Sequence, residues 1–113
     1  MHYLPCTTTV SQLRNGHYYS VVINIPIEYR RQHNLGISDV VTWMGRPDSE
    51  DIFLSPSRNT PSGYVPIKQM RCKPNGLRGM TLVIPKIWAD RVKIGATVHL
   101  YETPNGDLGI SKQ

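Results

Sequence analysis

The chain repeats one order of local sequence signals twice, and this repeat limits the fold more than any other feature. Residues 18–25 and 80–84 are rich in β-branched and other apolar residues, which favours strands. An Asn-Gly pair precedes each of them, at residues 15–16 and 75–76. Asn-Gly is a strong hairpin-turn signal, because both residue types tolerate positive φ angles. We therefore predict a hairpin at the start of each half.

Each of these predicted strands ends in Ile-Pro, and a short helix-compatible segment follows. Pro26 and Pro85 favour an extended conformation in the residue before them, so the strand runs up to the proline. Proline also suits the start of a helix, where no backbone N–H is needed. The pattern predicts helices over residues 27–34 and 86–92, each followed by a glycine that can end or turn the chain.

A second hairpin is predicted in each half. In the first half, residues 40–43 are expected to pair with residues 52–54, and in the second half, residues 98–101 with residues 108–110. Each segment is short and apolar, and turn residues separate the two members of each pair. The predicted order of elements is therefore β-β-α-β-β in each half.

The two halves are expected to form one pseudo-dimeric domain. Residues 1–54 form the first repeat and residues 64–113 the second, while residues 55–63, which hold no apolar residue except proline, read as a linker. A unit of roughly fifty residues buries little core alone, whereas two halves wrapped around each other share one. The predicted fold is mainly β: an intertwined β-barrel with pseudo-two-fold symmetry and two short helices.

The first half resembles the AbrB-type swapped-hairpin family, which includes SpoVT/AbrB regulators, MazE-type antitoxins and tandem MraZ-like proteins. The resemblance rests on Val-Val-Ile-Asn-Ile-Pro-Ile-Glu-Tyr-Arg-Arg at residues 21–31, Leu-Gly-Ile at 35–37 and Asp-Val at 39–40. The second half keeps Val-Ile-Pro-Lys at 83–86 and Ile-Gly at 94–95, but lacks the Leu-Gly-Ile triplet and the following Asp. Together the two matches cover most of the chain outside the linker.

This resemblance implies a swapped-hairpin barrel in which two copies interleave their hairpins, here as a tandem repeat in one chain. It also implies a DNA-binding face of basic residues near the first hairpin and the helix. A net charge of +5 is compatible with an anionic partner, although many small basic proteins bind none. Two basic helix regions related by a pseudo-two-fold would suit a pseudo-palindromic duplex.

The candidate DNA-binding residues are basic residues of the predicted hairpin tips and helix regions. They are Arg14, Arg30, Arg31, Arg71, Lys73, Arg78, Lys86, Arg91 and Lys93. Arginine offers a rigid fork of donors that suits both phosphates and base edges. Two other interpretations stay open: the helix arginines form a solvated face, and the hairpin-tip residues protect edge strands from aggregation.

The remaining polar residues do not form a pattern typical of an enzyme. No Ser-His-Asp, Cys-His or paired-carboxylate arrangement stands out, the histidines lack metal-ligand spacing, and His33 reads as a surface residue. Cys6 and Cys72 are too few for a disulfide scaffold; a single bridge stays open, and reduced thiols are the simpler interpretation. Trp43 and Trp88 are expected to be core or interface anchors, and the alternative is that they are platforms for base stacking. We predict no catalysis, no metal and no cofactor.

The expected location is the cytoplasm, because residues 1–10 lack the pattern of a signal peptide and no window approaches ~20 apolar residues. The sequence therefore predicts a duplex-DNA-binding protein, most simply a transcriptional regulator. The alternative is a protein-binding module on the same barrel, such as an antitoxin-like partner or a modulator of a host enzyme. Whether the protein forms a homodimer or a larger homo-oligomer stays open.

Overall fold

The computed structural model describes residues 7–15, 18–75 and 79–112, which form a mainly β fold with two short helices. The helices are α1 (Ile27–Gln32) and α2 (Lys86–Ala89). The strands are β1 (Thr7–Thr9), β2 (Ser11–Asn15), β3 (Tyr18–Asn24), β4 (Val40–Gly45), β5 (Ile52–Ser55), β6 (Val65–Arg71), β7 (Lys73–Asn75), β8 (Gly79–Val83), β9 (Thr97–Glu102) and β10 (Leu108–Ser111).

The strands form two antiparallel sheets that mix elements from both halves of the chain. The six-stranded sheet has the order β1-β9-β10-β5-β4-β6, and the four-stranded sheet has the order β2-β3-β8-β7. Strands β1 to β5 of the first half correspond in order to β6 to β10 of the second half. When each strand is replaced by its counterpart and the order is reversed, both strand orders are unchanged, so each sheet has pseudo-two-fold symmetry. The hairpin β4–β5 thus lies between β10 and β6 of the second half. In the smaller sheet, β3 pairs with β8.

The expected closed barrel is not found, because the first long strand of each half breaks where it passes from one sheet to the other. Val10 separates β1 from β2, and Cys72 separates β6 from β7. At each corner, the backbone forms hydrogen bonds with the loop that follows a helix of the other half, so neither sheet continues through the corner. Val10 exchanges hydrogen bonds with Gly95 and Ala96, and Cys72 exchanges them with Ser38 and Asp39. Across the described residues, the two sheets therefore remain separate ladders.

One hydrophobic core is shared by both halves. Ile23, Trp43 and Leu54 of the first half pack in the same cluster as Leu82 and Leu108 of the second. The two halves therefore do not form separate globules, since each half contributes strands to both sheets and side chains to this cluster. Trp88 also belongs to the cluster, so the expectation that both tryptophans are buried is confirmed.

Both predicted helices start where the prolines indicated, but both are shorter than expected. Pro26 and Pro85 have nearly the same conformation, with φ of −57° and −55° and extended ψ, and each is the residue before the first helical residue. The helices end early because the chain turns immediately afterwards: Asn34 adopts a φ of 51° after α1, and a turn continues from Asp90 after α2.

The two second-hairpin predictions are confirmed. Trp43 pairs with Leu54 in the first half, and Leu100 pairs with Ile110 in the second.

Residues 55–63, the predicted linker, make more hydrogen bonds than a flexible linker would. Ser55 belongs to β5, and its hydroxyl donates a hydrogen bond of 2.8 Å to the carbonyl oxygen of Asn59. The carbonyl oxygens of Ser57 and Arg58 accept hydrogen bonds from Oγ1 of Thr42 at 2.9 Å and from Nε2 of Gln69 at 3.0 Å, which hold the segment against β4 and β6.

Candidate nucleic-acid interface

Helix α1 is anchored by Tyr29, which is fully buried. The Tyr29 hydroxyl donates a hydrogen bond of 2.8 Å to the carbonyl oxygen of Gly106, in the β9–β10 loop of the other half. Leu35, just after the helix, is also buried, whereas Ile27 is 36% exposed. Tyr29 and Leu35 therefore hold this helix against the core, and their burial determines which of its residues face the surface.

The two adjacent arginines of α1 differ in burial. Arg31 is exposed, whereas Arg30 is half-buried. Burial raises the pKa of the Cys72 thiol to about 11 and the nearby Asp39 adds to the rise, while the positive charge of Arg30 opposes it. Arg30 thus lies near Cys72 at the corner of the second half, and its guanidinium belongs partly to the packing of that corner. Of the two, Arg31 is the arginine whose charge is fully available to a partner.

An open concavity of about 520 Å³ lies beside this arginine pair. Arg30, Arg31 and Asp39 contribute to its wall. Arg71, at the end of β6 in the second half, reaches the same α1–β4 connection and donates a hydrogen bond of 3.0 Å from Nη1 to the carbonyl oxygen of Ser38. The structure therefore brings three of the sequence-predicted arginines to one place, although two come from the first half and one from the second.

The connection beneath these arginines has a defined shape. Ser38 adopts a φ of 73°, in the left-handed region that few non-glycine residues occupy. Asp39 accepts a hydrogen bond of 2.7 Å from the backbone N–H of Gly36, which fixes its carboxylate in the wall of the concavity. This one negative charge partly offsets the three positive ones, so the surface is basic in balance.

The other basic candidates of the second half lie on or just after α2. Lys86, the first residue of that helix, is exposed, as are Arg91 and Lys93. Arg91 lines a small cleft together with Glu50 and Asp51, so two acidic groups lie near its charge. These three residues form a second, weaker basic region, and α2 lacks an equivalent of the adjacent arginine pair.

The hairpin-tip candidates are described only in part. Arg14 lies in β2 opposite Tyr19, and Lys73 lies in β7 opposite Thr81. Their side chains, the turn residues after them and Arg78 lie outside the described residues. The part of the proposed site at the hairpin tips therefore remains a prediction.

A buried polar cluster behind α1 was missed by the sequence analysis. His33 was expected at the surface, but its ring lies 4.3 Å from the ring of Tyr29, and its Nε2 atom lies 3.5 Å from Oε2 of Glu102. Gln32 also donates to that carboxylate oxygen, at 3.3 Å. Glu102 is only 6% exposed. The cluster fixes the rear of α1, opposite the exposed Arg31.

Asp107 completes this cluster. It is 2% exposed, and its backbone N–H bonds to the hydroxyl of Thr103 at 3.0 Å. Burial raises the pKa of the Asp107 carboxyl, while the hydroxyl of Thr103 and the charge of His33 act in the opposite direction. Residues 103–107, Thr-Pro-Asn-Gly-Asp, give a turn signal, and such a signal does not distinguish an exposed turn from a buried one.

The described residues contain no group of three or more His, Cys, Asp and Glu side chains that could hold a metal ion. None of their helices is long and apolar enough to cross a membrane. Cys72 is a free, buried thiol, and Cys6 lies outside the described residues.

Comparison of the chain with protein-family models, with curated proteins and with solved structures finds no match.

Proposed function

We propose that this protein binds duplex DNA, as a transcriptional regulator with an AbrB-like swapped-hairpin fold built from two repeats in one chain. The exchange of strands between the halves supports this fold. The hairpin of each half is inserted next to strands of the other half, as two interleaved copies require. The resemblance of residues 21–31 to the AbrB-type pattern supports the same proposal.

The observation that carries the proposal is the meeting of Arg30, Arg31 and Arg71 around the α1–β4 connection. Arginine side chains repel one another, so three of them around this connection, two of which line the open concavity, favour an anionic partner. The guanidinium group binds phosphate through paired N–H donors and reads guanine edges in the same way. Arg31 is the principal contact, and Arg71 and the exposed edge of Arg30 assist it.

The net charge of +5 adds a long-range attraction to any polyanion. If the bound protein neutralises about six phosphates, the logarithm of the binding constant should fall with the logarithm of salt concentration at a slope near −5. The second basic region, at Lys86, Arg91 and Lys93, would contact the other half of a pseudo-palindromic duplex. Because α2 lacks the arginine pair, the two half-sites need not have the same sequence.

The test compares Arg31→Ala with Arg58→Ala. Both arginines are exposed, and both changes remove one positive charge, but Arg58 lies outside the proposed interface. Binding to a labelled duplex is followed by fluorescence anisotropy at about 50 and 200 mM salt. We expect Arg31→Ala to weaken binding by roughly tenfold and Arg58→Ala to weaken it far less.

Equal losses from the two variants would show that the protein responds to net charge alone and that the interface lies elsewhere. No binding of the unmodified protein in dilute buffer would overturn the proposal and favour the protein-binding alternative.

A further inference from the structure

A second open surface, on the side of α2, has a different chemistry. A groove of about 710 Å³ lies between β6 and α2. Its apolar lining includes Val21, Met70 and Val83, and its rim includes Ile67 and Ile87. Ile87 is 65% exposed and Ile67 is 43% exposed. An exposed apolar groove of this kind typically marks a binding surface.

The fold does not require an apolar side chain at Ile87. Ile87 is the second residue of α2, and the same position of α1 is occupied by Glu28, which is exposed. Both helices follow an Ile-Pro junction and both bury an aromatic residue at the next position. A charged residue is therefore compatible with this place in the fold, so the exposed isoleucine is not explained by folding.

The exposed strand β6 is poorly suited to pairing with an added strand. In the described residues, β6 pairs with β4 alone. However, Pro66 lacks an N–H, and Ile67 is the extra residue of a β-bulge, since Trp43 pairs with Lys68 and Met44 with Pro66. Proline, a bulge and lysine are the devices that protect edge strands from further pairing. The occupant of the groove is therefore held by side-chain contacts, as a helix in a groove is.

The charges of the groove indicate the chemistry of its occupant. Lys68 and Lys86 lie among the lining residues, against a single acid, Asp90. A second copy of this chain is disfavoured, because it would bring two groups of lysines together between molecules that each carry a net charge of +5. Carboxylates beside an apolar face would complement the groove.

We propose that the groove between β6 and α2 binds the apolar face of an acidic amphipathic helix from another protein. The leucine-type side chains of such a helix cover Ile67 and Ile87, and its flanking carboxylates lie near Lys68 and Lys86. This surface shares no lining residue with the concavity beside the arginines of α1, and it shares only Lys86 with the proposed DNA interface, so the proposal does not depend on DNA binding.

The test uses two synthetic helical peptides with the same leucine positions at i, i+3, i+4 and i+7. One peptide carries glutamate at its polar positions, and the other carries lysine. Binding to the whole protein is measured by fluorescence anisotropy. We expect the glutamate peptide to bind at least about tenfold more tightly, and Ile87→Glu to weaken its binding by about tenfold or more.

Ile94→Glu is the matched control. Ile94 is 48% exposed, it does not line the groove, and the change introduces the same charge. We expect it to have little effect on the glutamate peptide, and we expect Lys68→Glu to reduce the preference for the glutamate peptide. In the unmodified protein, amide shifts on peptide addition should be concentrated in β6 and α2, which tests the site without any substitution.

Three results would overturn the proposal. The first is equal binding of the two peptides or no binding of either. The second is an equal loss from Ile87→Glu and Ile94→Glu, or amide shifts confined to other elements. The third is a homodimer in sedimentation that Ile87→Glu dissociates, which would make a second copy the occupant of the groove.

Discussion

The helices α1 and α2 are attached to the molecule in the same way, but their surroundings differ. Each buries an aromatic residue at its third position, and each aromatic donates one hydrogen bond to a hairpin loop of the other half. Tyr29 bonds to the carbonyl oxygen of Gly106 at 2.8 Å, and the indole N–H of Trp88 bonds to the carbonyl oxygen of Glu50 at 3.1 Å. Both attachments therefore join the two halves.

The residues that surround the two helices differ in polarity. Behind α1 lies the polar cluster of His33, Glu102 and Asp107, whereas beside α2 lies the apolar groove with Ile67 and Ile87. The fold thus depends on one buried aromatic with a partner carbonyl at each helix, and the neighbouring positions are available for separate functions. This difference underlies the two proposals, an anion-binding face at α1 and a protein-binding groove beside α2.

The largest expected effects come from removing the two aromatic anchors. Tyr29→Ala and Trp88→Ala should each lower the free energy of unfolding by about 3–5 kcal/mol, because each leaves a large cavity in the shared core. Urea denaturation of both variants measures this directly. A variant that loses less than about 1 kcal/mol would show that its helix is not an anchor, and the comparison between the helices would fail.

A smaller loss is expected when only the hydrogen bond at α1 is removed. Tyr29→Phe keeps the ring but leaves the carbonyl oxygen of Gly106 without its donor, which should cost about 1–3 kcal/mol. Tyr101→Phe is the control: its hydroxyl donates to Asp51, but Tyr101 is half-buried, so water can replace the lost bond. Equal losses from the two variants would show that the hydrogen bond at α1 contributes no more than that of the half-buried Tyr101.

The local parts of this architecture could be predicted from the sequence, whereas the attachments could not. Turn residues and runs of apolar residues located the hairpins, and Pro26 and Pro85 located the helix starts, because these signals act between neighbouring residues. The bond from Tyr29 to Gly106 joins residues 77 positions apart, and that from Trp88 to Glu50 joins residues 38 apart. No local pattern specifies such partners.

The candidate site was predictable to a similar extent. The pair Arg30 and Arg31 was evident from residue type and from the proline before it, and the structure adds Arg71 to the same place. The partial burial of Arg30 was not predictable, because it depends on the corner at Cys72 in the other half. The separate chemistry of the groove beside α2 also escaped notice, since β6 and α2 are brought together only by tertiary packing.

Replacing Asp107 in the polar cluster should raise the stability of the protein by an amount that depends on pH. The pKa of Asp107 is raised in the folded protein, mainly by burial, so the folded state binds this proton more tightly than the unfolded state does. The contribution of Asp107 to the free energy of unfolding is fully present below the ordinary aspartate pKa. This contribution is lost as the pH rises through the pKa of Asp107 in the folded protein. Asp107→Asn should therefore raise the melting temperature at pH 7.

The gain from Asp107→Asn should disappear near pH 3, below the ordinary aspartate pKa, where the carboxyl of the unmodified protein is protonated in both states. It should also be smaller than the losses above, because the hydroxyl of Thr103 already supports the charged form. Asp48→Asn is the control: Asp48 is exposed and paired with Arg46 at 3.1 Å, so no gain is expected. A loss of stability from Asp107→Asn at pH 7 would show that the groups around Asp107 compensate its charge well.

The smallest effect on stability is expected at Arg31, where the two helices differ most in charge. The equivalent position in the second half is Asp90, just after α2, and both side chains are exposed. Arg31→Ala should change the free energy of unfolding by less than about 0.5 kcal/mol, as exposed substitutions usually do. Arg30→Ala should cost more, since Arg30 is half-buried and near Cys72. Urea denaturation of the two variants separates these outcomes, and the equivalent change Asp90→Ala provides the reference for α2.

If Arg31→Ala destabilises the protein as much as Arg30→Ala does, both arginines serve the packing of α1. The weaker DNA binding expected of Arg31→Ala would then report a displaced helix instead of a lost contact. If Arg31→Ala leaves stability unchanged, any loss of DNA binding belongs to the side chain itself, and the exposed face of α1 is assigned to the partner.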